Sequence, residues 1–172
     1  MNAKSVSLHE LVCLEREEGD LVQAMSYARE ALDLALEMGS ETLVGYHLVL
    51  LAHTEFLQGD MEEAVRNFRT GLPKLWKTEI DVHKVDPLIL SAWHFAENHS
   101  QIAIRLLGAV EAHHRRVSRY PMNPTTRKDF DFTLSQARTH LDESAFESAF
   151  KEGGGMSLDD AIALAIKTLD DM

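Results

Sequence analysis

The chain is poor in the residues that cross-link a fold or anchor it in a membrane. Only Cys13 is a cysteine among 172 residues, which excludes an intramolecular disulfide and a cysteine-based zinc site. Apolar runs such as Leu48 to Ala52 are far shorter than the roughly 20 residues that span a bilayer. The N-terminus also lacks the pattern of a secretory signal. We therefore expect a cytoplasmic protein with no membrane contact, since unpaired cysteine is typical of reducing compartments.

Basic residues are also in short supply. The chain has 17 Lys and Arg against 28 Asp and Glu, a formal net charge of −11. Binding to nucleic acid depends on basic side chains that displace counterions from the phosphates. The composition therefore argues against a direct nucleic-acid partner.

Proline is scarce, and its positions leave room for long helices. The four prolines lie at 73, 87, 121 and 124, and helices can run between them. Apolar residues recur at steps of three and four, as in Ala24, Ala28, Ala31 and Ala35, which is typical of amphipathic helices. The pattern predicts an all-α fold, with helices near 4–18, 20–38, 41–58, 60–77, 86–98, 100–118, 125–141, 143–151 and 157–170.

Two local signals mark helix ends near the C-terminus. Ser157, followed three residues later by Asp160, predicts a capping box at the start of the last helix. The glycines at 153, 154 and 155 are expected to end the helix before it.

A short motif recurs along the chain at a nearly constant spacing. Residues 18–24 (Glu-Gly-Asp-Leu-Val-Gln-Ala) are matched 40 residues later by 58–64 (Gln-Gly-Asp-Met-Glu-Glu-Ala), and 39 residues further on by a weaker copy at 97–103. A glycine in a left-handed conformation ends one helix, and aspartate caps the next. Each copy therefore predicts a helical hairpin. Because one hairpin cannot bury its own apolar face, neighbouring hairpins should stack.

The motif resembles the tetratricopeptide repeat (TPR), whose second half often has the form Gly-Asp-x-x-x-Ala-x-x-x-aromatic-x-x-Ala. The matching residues are Gly19, Asp20, Ala24 and Ala31 in the first copy and Gly59, Asp60, Ala64 and Phe68 in the second. The spacing is longer than usual, Leu8 and Leu48 stand where tryptophan is common, and Gly71 replaces the last alanine. The resemblance implies a short right-handed solenoid of stacked antiparallel hairpins.

A second resemblance covers residues 88–170. Residues 103–112 (Ala-Ile-Arg-Leu-Leu-Gly-Ala-Val-Glu-Ala) look like a helix near the C-terminus of bacterial LuxR-type and STAND-type ATPase regulators. A proline-containing loop and the segment Ser-Leu-Asp-Asp-Ala at 157–161 follow in the same order. The two resemblances imply three TPR-like hairpins, at about 1–39, 40–80 and 83–119, and capping helices at 121–172 of the same domain. They further imply a C-terminal part or a stand-alone relative of such a regulator.

The spacing of chemically active residues does not indicate an enzyme. No phosphate-binding Gly-x-x-x-x-Gly-Lys-Ser/Thr loop and no His-Glu-x-x-His zinc motif occurs. Glu111 and His114 form a single Glu-x-x-His step, whereas a di-iron bundle needs two such steps and two further glutamates. His9 and Cys13 lie four apart and can share a helix face, but a catalytic dyad would also need an orienting group and a pocket. We expect no catalytic residue, metal or cofactor.

The TPR frame predicts where a binding groove would lie, because the first helix of each hairpin lines the concave side of the stack. The residues at these positions are His9, Cys13, Arg16, Tyr46, Val49, His53, Phe56, Leu88, Ala92 and Phe95. Such a groove is mostly apolar and suits an amphipathic or extended peptide.

These patterns predict a non-enzymatic module for protein–protein interaction in signalling or transcriptional regulation, with a protein or peptide partner. The alternative is a sensor domain for a small inducer, in which Tyr46, His53 and Phe56 present polar edges in an apolar groove. The first helix, with Leu8 and Leu14, is also a candidate surface for a homodimer.

Overall fold

The computed structural model describes residues 3–76, 78–117 and 122–172. Over these ranges the chain forms nine α-helices and no strand, so the all-α prediction is confirmed. The helices are α1 (Ala3–Glu18), α2 (Leu21–Glu37), α3 (Glu41–Gln58), α4 (Met61–Leu75), α5 (Val82–Phe95), α6 (Ser100–Val117), α7 (Pro124–Arg138), α8 (Glu143–Gly154) and α9 (Leu158–Asp170). Within the described ranges, no helix has the length and apolar character needed to cross a membrane.

The first two copies of the repeated motif form the same junction between helices. Gly19 and Gly59 adopt left-handed φ values of 84° and 87°, a conformation that costs other residues free energy because of their Cβ atoms. Asp20 and Asp60 cap the following helices by accepting hydrogen bonds from the backbone N–H groups three residues on, at 2.9 and 3.4 Å. Each junction therefore reverses the chain within two residues, as the motif predicts.

The chain divides into two compact units, residues 1–78 and 79–172. In the first unit, α2 packs against α1 and α3, and α3 packs against α4. Ala35, Leu43, Val44 and Leu48 form a buried apolar cluster between α2 and α3. The central helix is α3, in which 13 of 18 residues are buried.

In the second unit, α5 packs against α6, α7 and α9, and α6 also packs against α7, α8 and α9. The helices of the predicted third hairpin, α5 and α6, share this compact unit with α7, α8 and α9, which the sequence analysis gives as capping helices of the same domain.

Two glycine-lined crossings bring helix backbones close together. A Cβ atom on Gly71 of α4 would lie 2.8 Å from the Gly45 backbone oxygen of α3. In the second unit, a Cβ on Gly108 of α6 would lie 2.4 Å from the Phe150 oxygen of α8, and one on Gly153 would lie 2.0 Å from the Arg105 oxygen. A larger residue at Gly71, Gly108 or Gly153 would push the crossing helices apart.

Four predicted helix ends differ from the observed ones by three or four residues: both ends of α5 and the C-terminal ends of α7 and α8. The α8 helix continues through Gly153 and ends at Gly154, because Gly153 is packed in the crossing with α6 and does not serve as a stop signal. The α5 helix begins at Val82, four residues before the predicted start, and includes Pro87. Its first turn is held by the buried side chain of Lys84, which pairs with Asp81 and Asp159. The capping box of Ser157 and Asp160 is confirmed.

Candidate functional site

Four of the predicted groove residues converge between α1 and α3. The Tyr46 hydroxyl shares a hydrogen bond with His9 Nδ1 at 3.1 Å, and the two rings lie 5.5 Å apart. His9 Nε2 lies 3.7 Å from the Cys13 sulfur, and Arg16 Nη2 lies 4.0 Å from the same sulfur. The periodicity of the α-helix explains the arrangement, because residues 9, 13 and 16 are spaced by four and three and therefore lie on one face of α1.

A second polar contact joins the same two helices. The hydroxyl of Ser5, one turn before His9, is 2.9 Å from His47 Nε2, and both side chains are buried. A hydrogen bond between two buried side chains fixes the relative register of their helices. A shift of register would break the bond and leave buried polar atoms without a protein or water partner, which costs free energy. The Ser5–His47 pair therefore holds α1 and α3 in the register that brings His9 to Tyr46.

The polar side chains of the cluster can take part in hydrogen-bonded recognition, whereas the Cys13 thiol is too buried to act readily as a nucleophile. Cys13 is 7 % exposed, so a substrate carbonyl has little access to the sulfur. His9 and Arg16 are half-buried, although Nε and Nη1 of Arg16 are themselves buried. An imidazole and a guanidinium in this setting can hydrogen-bond to a partner's backbone or carboxylate groups.

The other predicted groove residues are mostly interior. Val49 and His53 in α3 have no exposed surface. Phe56 is half-buried, with its ring stacked 6.2 Å from that of His53. In the second unit, the fully buried positions are Leu88, Ala92 and Phe95. Of the ten residues, His9, Arg16 and Phe56 are the ones whose side chains are partly open to solvent.

The second unit contains a buried cation, Lys84, that the sequence analysis did not predict. The ammonium of Lys84, 2 % exposed, lies 3.0 Å from Asp81 and 2.8 Å from Asp159. Burial acts to lower the pKa of Lys84, but the hydrogen bonds and charges of the two carboxylates outweigh it and raise the pKa above its ordinary value. The lysine thus stays charged and links the start of α5 to the first turn of α9.

A polar cleft of about 340 Å³ lies between α6 and α8. Its walls include Gln101 and Arg105 on α6 and Ser144, Ser148 and Glu152 on α8. Arg105 donates to Glu152 at 2.6 Å across the cleft. The two helices are closest at Gly108 and Gly153. The residues that line the cleft precede these glycines in each helix.

Among the described residues, no group of three or more His, Cys, Asp or Glu side chains is arranged to hold a metal ion. Glu111, the acidic residue of the Glu-x-x-His step, pairs with Arg115 at 2.9 Å and with Arg127 at 3.5 Å. Glu111 and these two arginines therefore form an ion-pair network between α6 and α7.

Buried titratable groups give the second unit a predicted response to acid. His94 is 5 % exposed, and burial, with a smaller effect of the nearby His99 charge, lowers its pKa from 6.5 to about 4. Between these pH values the unfolded chain binds a proton at His94 that the folded chain does not, so folding becomes less favourable as pH falls. We expect the free energy of unfolding to decrease by up to about 3 kcal/mol over this window, measured by urea titration with Trp93 fluorescence.

The matched variants are His94→Gln, which removes the titrating ring, and His140→Gln, which removes an exposed histidine. The decrease should shrink only in His94→Gln. Burial also lowers the pKa values of His83 and His113, so a smaller decrease with the same sign should remain. Parallel pH profiles for the wild type and His94→Gln would contradict the prediction.

Sequence reasoning missed Ser5, His47 and Lys84. Ser5 could have been found, because it precedes His9 by four residues on the same helix face. Asp81 precedes Lys84 by three residues, but Asp159 of α9, the other partner of Lys84, is distant in sequence, so the sequence does not reveal the complete ion-pair site.

No protein-family model, curated protein or solved structure matches this chain.

Proposed function

We propose that this protein is a non-enzymatic interaction module of the TPR kind, in which antiparallel helical hairpins stack as a short solenoid. The observation that carries the proposal is the repeated junction, with the same glycine conformation and the same aspartate cap 40 residues apart. The helices α1 and α2, and likewise α3 and α4, are joined by two residues and pack against each other, so each pair forms a hairpin. The two hairpins are in contact because α2 packs against α3. Stacked hairpins of this type present helix faces to a partner.

The first helices of the two hairpins supply the binding residues. Side chains of α1 and α3 meet in the His9–Cys13–Tyr46 cluster, which combines polar atoms with ring surface. In this proposal α5 and α6 form a further hairpin, which packs with α7, α8 and α9 inside the second unit. The protein acts in a regulatory system, like the LuxR-type and STAND-type proteins that it resembles in sequence, and binds another protein or a peptide.

Capture from a lysate of the source cells tests this function. The test variant carries His9→Ala, Arg16→Ala and Phe56→Ala, three changes at the half-buried positions of the predicted groove. We expect a protein partner that is retained by the wild type and reduced about tenfold by the variant, which corresponds to about 1.4 kcal/mol of lost binding free energy.

A matched control carries His140→Ala, Arg116→Ala and Met61→Ala, which are exposed positions outside the predicted groove set. Circular dichroism of both variants should match the wild type. Equal losses in the two variants, or no retained partner, would contradict the proposal.

The polar cleft of α6 and α8 is the observation that favours the second candidate, a small-ligand sensor. If no partner protein is retained, while a small-molecule fraction of the same lysate raises the melting temperature of the wild type, the sensor function is supported instead. Binding of a ligand to the folded state alone raises stability in proportion to the logarithm of its concentration above Kd.

A further inference from the structure

The walls of the cleft between α6 and α8 carry both signs of charge. The α6 side contributes Arg105, and the α8 side contributes Glu152 and Asp142, the N-cap residue of α8. The remaining lining residues are uncharged and mostly small: Gln101, Ser144, Ala145, Ser148 and Ala149. The volume of about 340 Å³ lies in the range of small-molecule sites.

Arg105 keeps hydrogen-bonding capacity beyond its ion pair. Its Nη2 lies 2.6 Å from an oxygen of Glu152. Within the described part of the chain, its Nε is buried and has no acceptor. A guanidinium has several N–H donors, and the Arg105 side chain is 32 % exposed. A second carboxylate can therefore bind this guanidinium from the cleft, in addition to Glu152.

The two carboxylates of the cleft can accept further hydrogen bonds. Glu152 accepts one from Ser148 at 3.1 Å and pairs with Arg105, and its side chain is 51 % exposed. Asp142 uses Oδ1 to cap α8, by accepting from the backbone N–H of Ala145 at 2.8 Å. Because an ionised carboxylate accepts several hydrogen bonds through its oxygens, both groups can also accept from the ammonium of a ligand.

These charges decide which class of ligand fits the cleft. A simple anion would bind Arg105 but lie beside Glu152 and Asp142, and a simple cation would face the guanidinium. Like charges brought together in a binding site are repulsive. An uncharged apolar ligand would find little more than Ala145 and Ala149 as apolar wall. A ligand that carries a cation and an anion together satisfies both sides of the cleft.

The spacing of the wall charges narrows the class further. Because Nη2 of Arg105 and an oxygen of Glu152 are 2.6 Å apart, opposite charges are adjacent in the cleft. A ligand matches this arrangement when its own charges are adjacent. This is the case in an α-amino acid, whose ammonium and carboxylate are bonded to the same carbon. Hydrogen bonds between ionised groups are also shorter and stronger than those between neutral groups.

We propose that this cleft binds a free α-amino acid, with the carboxylate of the ligand against Arg105 and its ammonium against Glu152 and Asp142. The inference goes beyond the proposed binding of a protein and does not depend on it, because the cleft lies in the second unit and the predicted partner-binding cluster lies in the first. It gives the sensor function a ligand class.

The test follows the melting temperature of the full wild-type chain by circular dichroism, with each proteinogenic L-amino acid added in turn. A ligand that binds the folded state alone raises the melting temperature, so we expect a concentration-dependent rise with at least one of them. Isothermal titration calorimetry then gives the affinity for that amino acid. Its N-acetyl and carboxamide derivatives each lack one of the two charges and should bind at least about tenfold more weakly.

Charge variants locate the binding in the cleft. Arg105→Gln and Glu152→Gln each remove one wall charge and should weaken the affinity for the amino acid about tenfold. The matched controls are Arg116→Gln and Glu147→Gln, which remove the same charges at exposed positions of α6 and α8 outside the cleft. The controls should leave the affinity unchanged, and the circular dichroism spectra of all four variants should match that of the wild type.

No rise in melting temperature with any amino acid would overturn the inference. Equal binding of a derivative that lacks one charge would do the same, because it would show attraction of a lone anion or cation. So would equal weakening by the cleft variants and their controls. The derivatives are compared on the wild-type chain, so this result stands even if Arg105→Gln disturbs the packing of α6 on α8. If no amino acid binds while the small-molecule fraction of the lysate still raises the melting temperature, the ligand class is wrong and the sensor function stands.

Discussion

Gly153→Ala is expected to lower the free energy of unfolding of the second unit by about 3 kcal/mol. The added Cβ would lie 2.0 Å from the Arg105 backbone oxygen and 2.8 Å from its Cα. Backbone atoms of α6 cannot move aside as a flexible side chain can, so α6 and α8 must separate. Separation also loosens the contact in which Gly108 meets the Phe150 oxygen.

Gly154→Ala provides the matched control one residue away. Its Cβ would have the Ala112 Cβ, at 3.9 Å, as its nearest neighbour, an ordinary van der Waals contact. Alanine is the better helix former, so this change should be neutral or stabilising by up to about 1 kcal/mol. Urea unfolding in a Trp76→Phe background leaves Trp93 of α5 as the reporter of the second unit. Similar urea midpoints of unfolding for Gly153→Ala and Gly154→Ala would contradict the close packing of α6 against α8 at Gly153.

The features that sequence predicted well depend on neighbouring residues. Gly59 and Asp60 set a junction through their own φ angle and capping hydrogen bond, and Ser157 caps with Asp160 three residues on. The helical repeat likewise placed His9 and Cys13 on one face. Such signals need no knowledge of the distant chain, which is why the all-α fold and most helix ends were predictable.

The features that sequence missed depend on distant residues. Gly153 has the same local signal as a helix stop, and its role follows from Arg105 on another helix. Val49 and Phe56 are both predicted groove residues of α3, yet Val49 is fully buried and Phe56 is half-buried. How far a neighbour covers each position is set by packing, so the helix face was predictable and the accessibility of each groove residue was not.

Asp159→Asn is expected to destabilise the second unit by about 2 kcal/mol at neutral pH. The ammonium of Lys84 is 2 % exposed and would keep one carboxylate, that of Asp81 at 3.0 Å. Losing one partner of a buried pair costs about 3–5 kcal/mol, and we reduce this figure because the Asp159 side chain is 40 % exposed and water screens the pair.

The neighbouring change Asp160→Asn tests the capping box of the same helix without touching the lysine, and should cost less than about 1 kcal/mol.

The double variant Asp81→Asn/Asp159→Asn leaves the buried ammonium with neither carboxylate and should cost more than either single change. Lys84→Met removes the buried charge itself, while the methionine fills the space of the lysine stem, and replacing a buried charge by an apolar group is often tolerated. We therefore expect Lys84→Met to be less destabilising than the double variant in urea unfolding followed by Trp93 fluorescence. The reverse order would show that the ammonium contributes net stability, and that α9 is held to α5 by charge more than by the packing of the lysine stem.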